Sequence, residues 1–180
     1  MKVIMPVACD LARNSEWNVV VGPETAIACD RAAELTMMDE DAFIVITAGR
    51  ASIKWDNRLM ADVMMKYIVY GCPRLRGRLR VSYAKTFDTW GEMEGLAVVL
   101  SQLSNFRGDC EKVVLVVKWW HGPRSWLFCK YHFWCAGVRG VKVKVSWCKS
   151  FASFKAKRKE LRKLLLSPGM IALDLLKRWS

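Results

Sequence analysis

A three-layer α/β domain of the Rossmann-like class is the architecture this sequence predicts, with a mostly parallel sheet of about five strands and a basic C-terminal helical tail. Three observations carry that expectation. Val113-Val114-Leu115-Val116-Val117 is an unbroken run of β-formers, too short for a helix, and has the pattern of a strand buried on both faces. Runs of this kind alternate with stretches of helical spacing, and repeated strand–helix units demand crossovers between parallel strands. The chain has 180 residues, 53 % of them hydrophobic, enough to bury one sizeable core. Residues 1–180 read as a single domain, with 154–180 as its helical extension.

Along the chain, Lys2 to Val7 is a weak strand candidate, because Pro6 cannot donate to a ladder. Asn18 to Gly22 reads as the first buried strand and closes on a glycine. Ile27, Arg31, Ala32 and Leu35 then keep helical spacing through Ala28 to Met38. Ala42 to Thr47 is the next strand, ended by Ala48-Gly49. Leu59, Met60, Val63, Met64, Tyr67 and Ile68 form a helical stripe that stops before Gly71-Cys72-Pro73. Leu79 to Ser82 is a weaker strand, and a helix from Thr89 to about Phe106 follows it. After the strand at Val113 come a helix from Pro123 to about Ala136 and a last strand near Val141 to Val145. Phe154 to Trp179 reads as one or two helices, interrupted at Ser167-Pro168-Gly169.

Composition narrows the function classes. No apolar stretch reaches the ~18 residues that a bilayer span needs, so no transmembrane anchor is expected. The start, Met1 to Pro6, makes a poor secretory signal, and a cytoplasmic location is the default expectation. Seven cysteines without a CxxC pair fit reduced, buried thiols better than a disulfide framework. Cys129, His132 and Cys135 recur every three residues, a spacing that drifts around a helix and offers no fourth ligand; the trio reads as packing, and no metal site is expected. The formal charge of +12 is concentrated at Arg74 to Arg80 and from Lys142 to Lys163. Such a field attracts anionic partners, although a solvated basic face that only maintains solubility accounts for it equally well.

The candidate site lies where strands end. His121 and Arg124 fall between the buried strand and the next helix, whose first turn takes Pro123. In open α/β sheets ligands bind at that edge, and the free amides of a helix N-terminus favour an anion. His121 is a candidate proton donor or acceptor, with a half-buried structural ring as its plain alternative. Arg124 is a fork for phosphate or carboxylate, or the half of an internal ion pair. Lys118, at the end of the same strand, joins them as a ligand-binding candidate. Two other turns add Gly22 and Glu24, and Thr47 and Gly49, as ligand-facing positions; tight turns also need small residues for their own sake. The third is Asp88-Thr89-Trp90-Gly91-Glu92. Asp88 and Glu92 are catalytic candidates that would orient the histidine, bind a ligand hydroxyl or, as a lesser alternative, hold a divalent ion, and Thr89 is a candidate to contact the ligand. Thr89 and Glu92 also have the spacing of a capping box, which would satisfy helix-start amides without any ligand.

The order of these stretches resembles the YdcF- and SanA-like family. Its pattern is matched here by Val19-Val20-Val21-Gly22, Asp30-Arg31-Ala32-Ala33-Glu34-Leu35, Ile44-Val45-Ile46-Thr47-Ala48-Gly49, Asp88-Thr89-Trp90-Gly91-Glu92 and His121-Gly122-Pro123-Arg124-Ser125. The likeness spans about Val19 to Val145; Thr47-Ala48 stands where the family has Ser-Gly, and Ser125 where it has alanine. The resemblance implies a Rossmann-like fold, and S-adenosylmethionine is associated with one branch as a ligand.

The leading functional expectation is a site for an anionic small molecule, nucleotide-like or phosphorylated, with phosphoester hydrolysis or group transfer as the chemistry if there is any. The alternative is a nucleic-acid or acidic-surface binder that uses Arg74 to Arg80, Lys142 to Lys163 and the aromatics Trp147, Phe151 and Phe154.

Overall fold

Five parallel strands in the order β5-β4-β1-β6-β7 form the sheet of a computed structural model of the chain. It describes residues 1–8, 10–16, 18–49, 60–84, 88–107, 110–149 and 154–179; Leu59 and Phe151 lie outside the described residues. The strands are β1 (Lys2–Pro6), β4 (Ala42–Ala48), β5 (Leu79–Tyr83), β6 (Lys112–Lys118) and β7 (Lys142–Cys148). A separate antiparallel pair, β2 (Leu11–Arg13) and β3 (Val19–Val21), precedes the first helix. The helices are α1 (Pro23–Met37), α2 (Met60–Gly71), α3 (Thr89–Arg107), α4 (Gly122–Cys135) and α5 (Phe154–Trp179).

Strand parity sets the layers. Val3 and Met5 of β1 pack with Val113, Leu115 and Val117 of β6 against Met93, Leu96 and Leu100 of α3 and Phe128 of α4. Ile4, Val114 and Val116 face the other way, onto Ala28 and Ala32 of α1. Ile44 and Ile46 of β4 meet Met60, Met64 and Ile68 of α2 on that same side. The result is the expected three-layer Rossmann-like α/β fold with a C-terminal helix. The chain reverses its direction of travel across the sheet between β1 and β6, so the carboxyl ends of these two strands flank a topological switch point.

Two elements differ from expectation. The weak candidate at the N-terminus is the central strand. Its ladder with β4 ends at Ile4↔Ile44, whereas the ladder with β6 continues to Pro6↔Val116. The Lys2 amide points to the β4 side and the Val7 amide to the β6 side. By alternation Pro6 would donate toward β4, where no ladder is left, so its missing N–H costs nothing. Conversely, Val19–Val21 is not a strand of the main sheet but the second arm of a hairpin. Asn14 shapes its turn, with Oδ1 accepting the Glu16 and Asn18 amides at 3.1 and 2.9 Å.

The hairpin delivers Asp10 to the start of α1. Asp10 Oδ1 accepts the Thr25 amide at 2.8 Å, and Oδ2 lies 3.4 Å from the Glu24 amide. A carboxylate there complements the helix dipole. Gly22 is what lets it approach, since a Cβ at that position would stand 2.4 Å from the Asp10 carboxyl carbon. Gly22→Ala is therefore expected to cost about 2 kcal/mol by displacing the cap; a urea unfolding midpoint equal to that of the parent would contradict this role.

The tail is one helix rather than two. Pro168 lies inside α5, and ties to α4 hold the helix on both sides of the proline. Arg124 pairs with Glu160 before it, and the Tyr131 hydroxyl donates to Asp174 at 2.5 Å after it. Ser167 donates its hydroxyl to the Lys163 carbonyl at 2.9 Å within the same turn. Among the described residues no helix is long and apolar enough to cross a membrane.

Candidate functional site

The end of β6 sorts its residues by parity. Lys118 continues the Val114–Val116 face toward α1 and is 1 % exposed. Its ammonium meets Glu24, in the first turn of α1, at 2.7 Å, and lies 5.8 Å from the Trp120 ring centroid. These two ligand-binding candidates thus face each other. The chain then turns, with the His121 amide bonded to the Lys118 carbonyl at 2.9 Å, and α4 begins at Gly122 with Pro123 in its first turn. Gly122 is required by close packing, because a Cβ there would meet the Trp147 ring at 2.2 Å.

His121 and Arg124 do share one site with the start of α3. The Thr89 hydroxyl lies 2.7 Å from His121 Nε2. Arg124 Nη2 is 2.9 Å from Thr89 Oγ1 and 3.0 Å from His121 Nε2. A guanidinium only donates, so Nε2 is the acceptor and the neutral ring carries its hydrogen on Nδ1. The Thr89 hydroxyl then accepts from Arg124 and donates to His121. Burial, followed by the charges of Arg124, Lys118 and Lys163, lowers the imidazole pKa to about 3.

The capping box does not form. Asp88, exposed at the N-cap, accepts the Gly91 amide at 2.9 Å on its own carboxylate, which leaves the Thr89 hydroxyl to the site. Trp90 follows and inserts between α3 and α4, with ring centroids 5.0 Å from Phe128 and 4.5 Å from His132. That wedge holds Thr89 against His121. Glu92 is buried behind the site, where burial and then the Asp88 charge push its carboxyl pKa well up, against an accepted bond from the Ala8 amide. The Glu92 carbonyl accepts the Thr47 hydroxyl at 2.7 Å, so Thr47 fastens β4 to α3. Gly49 is buried and its carbonyl accepts the Met60 amide at 3.2 Å. Of the predicted residues, His121, Arg124 and Thr89 converge, with Asp88 and Glu92 beside them. Gly22, Glu24, Lys118, Thr47 and Gly49 instead make contacts within the fold: Gly22 admits Asp10, Lys118 pairs with Glu24, Thr47 ties β4 to α3, and Gly49 accepts the Met60 amide.

Glu160 completes the cluster and was not anticipated. Its carboxylate is 9 % exposed; Oε1 accepts from Lys163 at 2.6 Å and Oε2 lies 2.8 Å from Arg124 Nη2. Oε2 has no aligned hydrogen-bond donor, so the contact with Arg124 is ionic. The only local signal was one acidic residue inside the basic run from Lys155 to Lys163. Among the described residues no group of three or more His, Cys, Asp or Glu is placed to hold a metal ion. Cys129 belongs to the core and its thiol pKa is pushed up by burial, while His132 packs against Trp90 and is held neutral, its pKa lowered to about 4 mainly by burial.

These shifts have opposite consequences for stability. The folded state keeps His121 neutral while the unfolded chain protonates near 6.5, so stability is full above that value and declines as pH falls toward 3. Between pH 7 and pH 5 His121 alone is expected to cost about 2 kcal/mol, at ~1.4 kcal/mol per unit. Glu92 acts in the other direction: its contribution is full below its ordinary value of 4.5 and is lost as pH rises. Glu92→Gln should therefore raise the melting temperature near pH 7.5 by roughly 2–4 °C and leave it unchanged at pH 4. Equal gains at both pH values would mean that Glu92 is not held neutral.

Comparison of the chain with protein-family models, curated proteins and solved structures returns no match.

Proposed function

We propose that the strand-end cluster binds a small anionic ligand, nucleotide-like or phosphorylated, with Arg124 holding the anion. The observation that supports this is the approach of a hydroxyl, an imidazole and a guanidinium within 3.0 Å, with a carboxylate of the chain's own tail lying on the guanidinium. Glu160 stands in for the ligand's acidic group. Because its Oε2 makes no aligned hydrogen bond, a phosphate that offers better geometry can compete with it for Arg124.

Binding is better supported than turnover. An imidazole titrating near 3 is a weak base, although a bound anion that neutralises Arg124 would raise it. In that state His121 would accept the proton of the Thr89 hydroxyl or of a water, which is the first requirement of phosphoester hydrolysis or group transfer. The likeness to the YdcF- and SanA-like family belongs to the same proposal. It places S-adenosylmethionine, whose carboxylate suits Arg124, beside nucleotides and inorganic phosphate in the set to be tried.

Titration calorimetry with inorganic phosphate, adenosine diphosphate and S-adenosylmethionine tests the reading. At least one should bind the parent, and His121→Ala and Arg124→Ala should each lose that binding while keeping the parent's circular dichroism. Unchanged affinity in both variants, or no heat with any of the three, rejects it.

A further inference from the structure

We infer that α5 docks the protein onto an anionic lipid surface, a function separate from the strand-end site. The helix has two opposed faces. Leu164, Ser167, Ile171 and Asp174 turn toward the domain, with Asp174 bonded to Tyr131 and Ile171 packed on the core. The opposite face carries Leu161, Leu165, Leu166, Met170, Leu173 and Leu176, which are 43–73 % exposed. Six large aliphatic side chains along one helix are more than a monomer leaves bare without use. At 1.5 Å per residue they extend over roughly 22 Å of the helix, and at 100° per residue they fall within one half of its circumference.

Charge decides what covers that face. From Lys155 to Arg178 the helix holds eight Lys and Arg against Glu160 and Asp174. Arg158, Lys159 and Arg162 are exposed at one end of the apolar face and Lys177 at the other, while Arg178 is tied to the inward Asp174 at 2.7 Å. A second copy would bring these charges against its own, within a chain whose net charge is already +12. Nucleic acid would satisfy the cations but has nothing to bury six aliphatic side chains. An anionic bilayer satisfies both features: acyl chains take the leucines and headgroups take the flanking Lys and Arg, whose long stems reach outward. Exposed Trp119 lies beside this end of the helix, with the Lys157 ammonium 5.9 Å from its ring centroid.

Flotation of the full chain with vesicles tests the inference. It should rise with vesicles of phosphatidylcholine containing phosphatidylglycerol, not with phosphatidylcholine alone, and added salt should weaken the association. Arg158→Gln/Lys159→Gln/Arg162→Gln should lower partitioning by about a hundredfold, since each cation near such a surface contributes several-fold. Leu165→Ser/Leu173→Ser, which touches only outward residues, should lower it by at least about tenfold without changing circular dichroism. Four outcomes overturn the inference: no flotation with anionic vesicles at low salt, equal flotation with both vesicle types, parent-like flotation of the leucine variant, or a dimer in sedimentation that the leucine substitutions abolish. Displacement from vesicles by an oligonucleotide that binds the leucine variant as tightly as the parent would likewise assign the basic face to nucleic acid.

Discussion

Lys118→Ala is expected to remove about 3–5 kcal/mol of stability, because it strips the partner from a carboxylate that has little access to water. Lys118 is 1 % exposed and Glu24 keeps only 13 % of its side-chain surface. The deleted stem also leaves a cavity between β6 and α1 that packed neighbours fill only in part. The α1 dipole offsets a fraction of the loss, since Glu24 sits in the first turn of the helix. Lys118→Met separates the two contributions: it restores most of the volume but not the charge, so it should recover the cavity portion alone. Lys118→Met combined with Glu24→Gln removes both charges and should return close to the parent, the asymmetry expected of buried ion pairs. Urea unfolding of the three variants at pH 7 checks the order. A Lys118→Ala loss under about 1 kcal/mol would place this pair with solvent-screened surface bridges instead.

Parity made part of this legible before any coordinates. Val113 to Val117 announces a strand buried on both faces, whereas Lys118, read from its strand-end position as a ligand-binding candidate, is paired inside the fold. What parity could not supply was Glu24 as the partner, 94 positions away along the chain. The same contrast holds elsewhere. Helices α3 and α4 were readable because their periodicity is long and their starts carry local signals, Asp88-Thr89 and Gly122-Pro123. β1 looks weak in sequence because the effect of Pro6 depends on where the β4 ladder stops, which is a property of the neighbouring strand. Asn18 to Gly22 reads as a strand of the main sheet because a run of valines looks the same in a hairpin as in a buried parallel strand. Its short partner Leu11–Arg13 carries too little pattern to announce itself. His121, Arg124 and Thr89, which residue type marks at strand ends and a helix start, converge in the structure. Glu160 carries no such mark, since its role exists only once α5 folds back across α4.

That return of α5 makes Arg124 and Glu160 unequal partners, and the inequality is measurable. Arg124→Ala is expected to cost about 3 kcal/mol: the buried Glu160 carboxylate loses its guanidinium, and Thr89 and His121 lose a donor. It should also free His121 from a neighbouring positive charge, so the imidazole pKa, followed by NMR, should move up from about 3 toward the ordinary range. Glu160→Gln should behave differently. The amide oxygen can still accept from Lys163 and lie against Arg124, so the loss should be smaller than that of Arg124→Ala, about 2 kcal/mol. For ligand binding the signs are opposed. On the proposed function Arg124→Ala removes the anion holder, whereas Glu160→Gln removes the carboxylate that would compete for it and should tighten phosphate binding by about tenfold, or ~1.4 kcal/mol. If Glu160→Gln instead weakens binding, the carboxylate belongs to the ligand site rather than standing in the ligand's place. If Arg124→Ala leaves the histidine titration unmoved, the contact between guanidinium and imidazole is not the one that sets its basicity.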